Sequence, residues 1–172
     1  PVVAAAVILP PGLVIRGLRD SKKTQEKDRK RIFWEIVQKA RAVGVGIANA
    51  ETIDRINILE STRSAMTAAV SDLGVTPDIL LIDAVVLPAC PVSQKAIIRG
   101  ESVSASIAAA SIVAKVVRDE IMLEYDGKYP LYNFRKHKGY STREHMESIR
   151  RHGPCPIHRK SFRRVREGTL YP

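Results

Sequence analysis

The chain has 172 residues, a formal net charge of +10 and 45% hydrophobic residues. This suits one domain with a sizeable core, and the basic balance points to a polyanionic partner, nucleic acid first, with a merely basic surface as the plainer alternative. No apolar run reaches the length of a membrane span. Cys90 and Cys155 make neither a disulfide framework nor a metal-ligand spacing, and they point to a reducing cytoplasm.

Residues 2–9 read as a strand, and Pro10-Pro-Gly12 as a turn. Asp20-Ser-Lys-Lys-Thr24 places polar and basic groups ahead of a helix over 25–42, with Ile32, Phe33, Ile36 and Val37 as its apolar stripe and Trp34 at one edge. Residues 43–50 alternate like a strand. Their glycines lack the Lys-Ser or Lys-Thr of a phosphate loop and permit close packing instead. A short helical turn over 51–55 follows. Asn57 then opens a helix to about Leu73.

Residues 79–83 form a buried-type strand ending in Asp83, and 85–92, with Pro88 and Pro91, read as a loop. Residues 96–98 are a short strand, Gly100 a turn, and Ser102 or Ser104 a helix cap. The long helix that follows is mostly apolar, with Ser111, Lys115, Arg118 and Asp119 as its polar stripe. Residues 142–152 form another helix, with Met146 and Ile149 inward. Ser141 and Glu144 have the spacing of a capping box at its start.

Residues 127–172 hold twelve Lys or Arg against three Glu, and so supply +9 of the net charge. Tyr129, Tyr132, Phe134 and Tyr140 interleave with these cations, as a surface that tracks a phosphate backbone and stacks on bases or sugars requires. All four histidines lie here, without the spacing of a zinc site.

Glu101, Asp119 and Glu120, near or on the long helix, and Asp83 at the strand end are the acidic candidates for chemistry. From Ser104 to Asp119 the helix runs roughly 22 Å, so only one of its ends can face a given site. In open α/β sheets the crevice lies outside the carboxyl ends of parallel strands. That pairs Asp83 with Glu101 and leaves Asp119 a structural or surface role. A turn or cap aspartate is the plainer reading of Asp83.

The run Gly100-Glu-Ser-Val-Ser-Ala-Ser-Ile-Ala-Ala-Ala-Ser-Ile-Val-Ala-Lys-Val-Val-Arg-Asp119 closely resembles a signature of ribonuclease HII, the type 2 ribonuclease H. Asp20-Ser-Lys-Lys23, Ile56-Asn-Ile-Leu59, Ile82-Asp83, His137-Lys-Gly-Tyr140 and His158-Arg-Lys-Ser-Phe162 agree in the same order. The resemblance implies an α/β fold, a ribonuclease H-like mixed five-stranded sheet flanked by helices. It implies a catalytic core over 1–126 and a basic helical extension over 127–172, packed as one domain. The implied activity is cleavage of RNA–DNA hybrids, and of single ribonucleotides in duplex DNA, by four carboxylates and two Mg2+ or Mn2+ ions. The products carry 3′-hydroxyl and 5′-phosphate ends. A cytoplasmic monomer is expected. The competing class is a module that binds hybrid duplexes without cutting them.

Carried over by position, the resemblance makes Asp83 the third metal-binding carboxylate and Glu101 the fourth, where the family usually has aspartate. Tyr140 matches the tyrosine that packs on the sugar beside the scissile junction; Ser21, Lys22, Asn57 and Lys138 match the substrate groove. Arg159 and Ser161 belong to a C-terminal motif that contacts phosphate or packs. The family opens with Asp-Glu-Ala-Gly-Arg-Gly-Pro ahead of a run like residues 1–7. The first two carboxylates are expected there, on a strand between residues 2–9 and 79–83.

Overall fold

A computed structural model describes residues 1–18 and 25–168. Strand β1 (Val2–Ile8) pairs antiparallel with β2 (Ala42–Ala48), with Val2 opposite Ala48 and Ile8 opposite Ala42. Helix α1 (Glu26–Lys39) connects them, and α2 (Ala50–Ser71) follows β2. Strand β3 (Leu80–Asp83) pairs in parallel with β4 (Gln94–Ile97). A short helix α3 (Gly100–Val103) leads into α4 (Ala105–Lys128), and a 3-10 turn (Pro130–Tyr132) precedes α5 (Phe134–His137), α6 (Arg143–His152) and α7 (Arg163–Gly168).

The period of two along β1 separates its two faces. Ala5, Val7 and Leu9 pack with Ile32 and Ile36 of α1 and with Ala108, Ala109, Ile112 and Val113 of α4. Val2, Ala4 and Ala6 pack with Ala65 and Ala69 of α2. The result is three layers, with the first sheet in the middle. Ile36 and Ile112 have no exposed surface; truncating either to alanine costs about 2–5 kcal/mol. The approach of α2 is close because β2 carries glycines. A Cβ on Gly46 would lie 1.9 Å from the Ala65 carbonyl oxygen, and one on Gly44 2.2 Å from that of Ala69.

The four strands among the described residues form two separate two-stranded sheets, which differs from a single five-stranded sheet. A cavity of about 1120 Å³ separates β1 from β3. Residues of both strands line it, and Ile107, Ala110, Ser111, Ala114 and Lys115 of α4 form its floor. β3 packs Leu80 and Ile82 on Leu87, with Met66 and Val70 of α2 beside them. The loop after β3 is held by Gln94, whose Nε2 donates to the carbonyls of Leu87 and Cys90, while its Oε1 accepts from Leu87 N–H.

Several local expectations are refined. Asn57 sits inside α2 with φ 68° and ψ 170° and breaks it into two runs. Its Oδ1 accepts from the N–H groups of Leu59 and Glu60, so it caps the second run. The left-handed residue before α3 is Arg99 (φ 56°) rather than Gly100. A Cβ on Gly100 would lie 2.5 Å from Ile107 Cδ1, so that side chain would have to shift to admit one. Ser104 caps α4 by accepting from Ile107 N–H at 3.4 Å. The residue that caps α6 is Thr142, not Ser141. Ser141 Oγ is taken by Arg164 at 2.8 Å, and Glu144 by Lys136 and Asn133. The basic extension begins on the last turn of α4, and Met122, nearly two turns from the end of that helix, joins Tyr132, Phe134, Ile149 and Cys155 in a second core. No helix among the described residues is long and apolar enough to cross a membrane.

Candidate nuclease site

Asp83 ends β3, and the next residue, Ala84, turns the chain with φ 60°. Gly100 N–H donates to Asp83 Oδ1 at 2.9 Å, which ties the strand end to the first residue of α3. Glu101 is the next residue, and both Asp83 and Glu101 line the large cavity. One Asp83 oxygen is fixed by Gly100. Two carboxylates at one cavity wall are hard oxygen donors that fit Mg2+ or Mn2+. Among the described residues no group of three or more His, Cys, Asp or Glu converges on a point.

Tyr140 lines the same cavity and is 57% exposed, so it is not a core residue. Its presentation follows from His137-Lys-Gly-Tyr140. Lys138 (φ 49°, ψ 31°) and Gly139 (φ 77°) are both left-handed, and Tyr140 N–H donates to the His137 carbonyl at 2.8 Å. That is a type I′ turn, in which both central residues need positive φ. A Cβ on Gly139 would in addition lie 3.2 Å from Met122 Cε.

Beneath the turn, Lys115 Nζ and Arg118 Cζ each lie 5.3 Å from the Tyr140 ring centroid. Sequence reasoning placed both cations on the polar stripe of α4 but did not connect them with Tyr140. The signal available was their i, i+3 spacing on an otherwise apolar helix. Lys115 also pairs with Asp119 at 2.7 Å, and Asp119 is buried, so that carboxylate has a structural partner. A smaller cavity of about 510 Å³ adjoins the first through Lys115 and Tyr140, and Lys138 and Asp119 line it.

The other expected groove residues are dispersed. Asn57 is exposed, whereas Arg159 is half-buried and donates through Nη2 to the Pro1 carbonyl at 3.0 Å. Burial, and then the nearby Arg118 guanidinium, hold the Arg159 pKa below its usual value. Ser161 Oγ donates to Asp54 Oδ1 at 2.5 Å, and the backbone N–H groups of Lys160 and Ser161 donate to the same carboxylate. Burial raises the Asp54 pKa, but these bonds outweigh it and the net shift is downward. This clamp joins the C-terminal motif to α2 and gave no sequence signal, because it spans more than a hundred residues. Asn57, Arg159 and Ser161 line neither cavity. Ser21 and Lys22 lie outside the described residues.

The α/β domain thus places two acidic residues on one cavity wall, hard oxygen donors, beside a basic extension suited to a polyanion. The sequence matches the ribonuclease HII family over residues 1–165, and the chain belongs to that family. It is 54% identical over 162 residues to the ribonuclease HII of Acetivibrio thermocellus, covering 94% of this chain and 63% of that protein. It is 53% identical over 166 residues to that of Bacillus licheniformis, covering 96% of this chain and 65% of that protein. The chain thus spans a little under two thirds of these relatives. In fold it is similar to the ribonuclease H2 from Pyrococcus horikoshii OT3, with a TM-score of 0.75 at 21% identity over 90% of this chain and 81% of that one. It is also similar to Bst-RNase HIII in complex with Mn2+, with a TM-score of 0.64 at 18% identity over 90% of this chain and 58% of that one.

Proposed function

We propose that the full-length protein is an endoribonuclease. It cleaves the RNA strand of RNA–DNA hybrids, and single ribonucleotides embedded in duplex DNA, leaving 3′-hydroxyl and 5′-phosphate ends. The observation that carries this reading is that Asp83, Glu101 and Tyr140 line one cavity. Asp83 and Glu101 would hold Mg2+ or Mn2+ there. Such ions, as a pair, make water a nucleophile at neutral pH and stabilise the leaving oxygen. The chain's own groups position the substrate. The Tyr140 ring packs on the sugar at the RNA-to-DNA junction, where the 2′-hydroxyl is the distinguishing group. Lys115, Arg118, Lys138 and the cations of 127–168 offset phosphate charge. In this reading the protein is a cytoplasmic monomer.

We propose too that the site is completed by a strand carrying an Asp-Glu-Ala-Gly-Arg-Gly segment, as in the family resembled. The cavity between β1 and β3 supports this, because both strands leave an edge on it. Unpaired buried backbone groups cost roughly 1–3 kcal/mol each, and open edges invite aggregation. A version of the protein that carries such a segment should therefore melt higher, and cut far more, than one without it. Equal melting and equal cutting would sink the strand proposal.

The enzymatic reading is tested with the full-length protein on a duplex containing one ribonucleotide, with and without Mg2+ or Mn2+. Metal-dependent incision beside the ribonucleotide is expected. Tight, salt-sensitive binding without incision at any metal concentration would favour the binding module instead.

A further inference from the structure

Three buried histidines surround the Tyr140 turn and are unused by the chemistry proposed above. His137, His145 and His158 are 6%, 4% and 6% exposed. The rings of His137 and His145 stack with centroids 4.4 Å apart, and Phe134 packs edge-on to both. Their nitrogens have partners whose donor or acceptor character is fixed by chemistry. His145 Nδ1 lies 2.9 Å from the Tyr140 carbonyl oxygen, which only accepts, so Nδ1 carries the proton. Cys155 N–H, which only donates, points at His158 Nδ1 at 3.0 Å, so that nitrogen carries none. A neutral His158 then has its proton on Nε2, and a neutral His145 has its lone pair on Nε2. These two nitrogens are 2.9 Å apart, the length of a hydrogen bond from His158 to His145. The 3.3 Å approach of the Cys155 carbonyl to His158 Nδ1 would demand the opposite proton placement, and it is the longer contact.

Resting on the reading of Tyr140 as the sugar contact, we infer that His145 and His158 are positioning residues. One directional chain of hydrogen bonds, from Cys155 through His158 and His145 to the Tyr140 carbonyl, holds the Tyr140 ring at the site. His137 serves the same turn from the other side. Its Nε2 donates to the Tyr132 carbonyl at 2.7 Å, and its Nδ1 accepts from Gly139 N–H at 3.2 Å. The Tyr140 carbonyl also accepts from Thr142 N–H, so both flanks of the presented tyrosine are pinned.

An added proton has no place in this chain. On His145 Nε2 it would meet the N–H of His158, and on His158 Nδ1 it would displace Cys155 N–H. Burial, and then the His145 charge, push the His158 pKa down to about 4, and burial also lowers that of His145. The titratable groups facing the pair are His137, Tyr132 and Cys155. Glu144, next to His145 on α6, is engaged by Lys136 and Asn133.

The test is made on the full-length protein. Affinity for a duplex with one ribonucleotide is compared with affinity for the all-DNA duplex of the same sequence. His145→Leu removes the donor to Tyr140, and the preference for the ribonucleotide should fall about fivefold, with the all-DNA affinity nearly unchanged. His145→Asn puts an amide N–H where Nδ1–H was and should restore most of the preference. Loss of both affinities alike, or no rescue by Asn, would show a general structural role and overturn the inference. If Tyr140→Ala leaves the preference intact, the sugar-contact reading fails. If Tyr140→Ala removes it and a folded His145→Leu does not, only the histidine inference fails. Should the leucine variant not fold, nitrogen-15 NMR of the wild-type imidazoles decides. Neutral His145 protonated on Nδ1 and neutral His158 protonated on Nε2 are expected at pH 7, and any other assignment contradicts the chain.

Discussion

The two halves of α4 meet different surroundings. Its first turns face a cavity of about 1120 Å³ between two strands that do not pair, with Asp83 and Glu101 on the wall. Its last turns bury Met122 against Tyr132, Phe134, Ile149 and Cys155, and the nearby imidazole nitrogens of His137, His145 and His158 all have partners. The first region is open, and β1 and β3 each face it with an edge that no described strand pairs. The second is closed, and its hydrogen bonds hold the backbone that carries Tyr140. Under the proposed function, this contrast separates a contact residue held by hydrogen-bonded scaffolding from the open cavity beside it.

Phe134→Ala breaks the closed region most directly. The ring is 1% exposed, stacks on Tyr132 and contacts three histidines. A loss of about 3–5 kcal/mol is expected in denaturant unfolding. A loss below about 1 kcal/mol would mean that this core is not cooperative with the rest.

Acid sharpens the contrast. The depressed His158 pKa means that the unfolded chain binds a proton between about pH 6.5 and pH 4 while the folded chain does not. Stability contributed by that neutral ring is therefore present above pH 6.5 and is lost as pH falls towards 4. The thermal midpoint should drop by several degrees over this window. His158→Gln should flatten the slope. An unchanged slope in a folded His158→Gln protein would assign the acid sensitivity to other groups.

Tyr140→Ala has the smallest effect on the fold, because the ring is exposed. Stacking contributes on the order of 1–3 kcal/mol by alanine substitution, and a sugar contact belongs at the low end. Cleavage at single ribonucleotides should fall several-fold with thermal stability unchanged, and Phe should retain most of the rate. A stability loss without a rate loss would return Tyr140 to a packing role.

Much of this was legible in the sequence because it is local. The strand character of β1, the alternation and glycines of β2, the break at Asn57 and the apolar face of α4 each follow from spacing and residue type. The meeting of the β3 end with the turn at Gly100 follows strand-end logic, and Gly100 N–H donates to Asp83 Oδ1. The Asp54 clamp on Ser161, the cations beneath Tyr140 and the histidine chain were not. Each joins residues distant in sequence or depends on ring orientation, which composition does not encode. The capping of α6 was misread because Ser141 and Thr142 are both competent caps, and the contact from Arg164 selects between them.

The most direct test is metal-dependent cleavage of a duplex with one embedded ribonucleotide by the full-length protein carrying Asp83→Asn, Glu101→Gln, Glu101→Asp or Asp119→Asn. Removing either cavity carboxylate should lower kcat on the order of a hundredfold, in the range of losing one electrostatic group at a reacting centre, while duplex binding persists. Glu101→Asp should retain most activity. Asp119, paired with Lys115 away from the cavity carboxylates, should matter far less. A larger loss of kcat in a folded Asp119→Asn protein than in Glu101→Gln would contradict the assignment of the site.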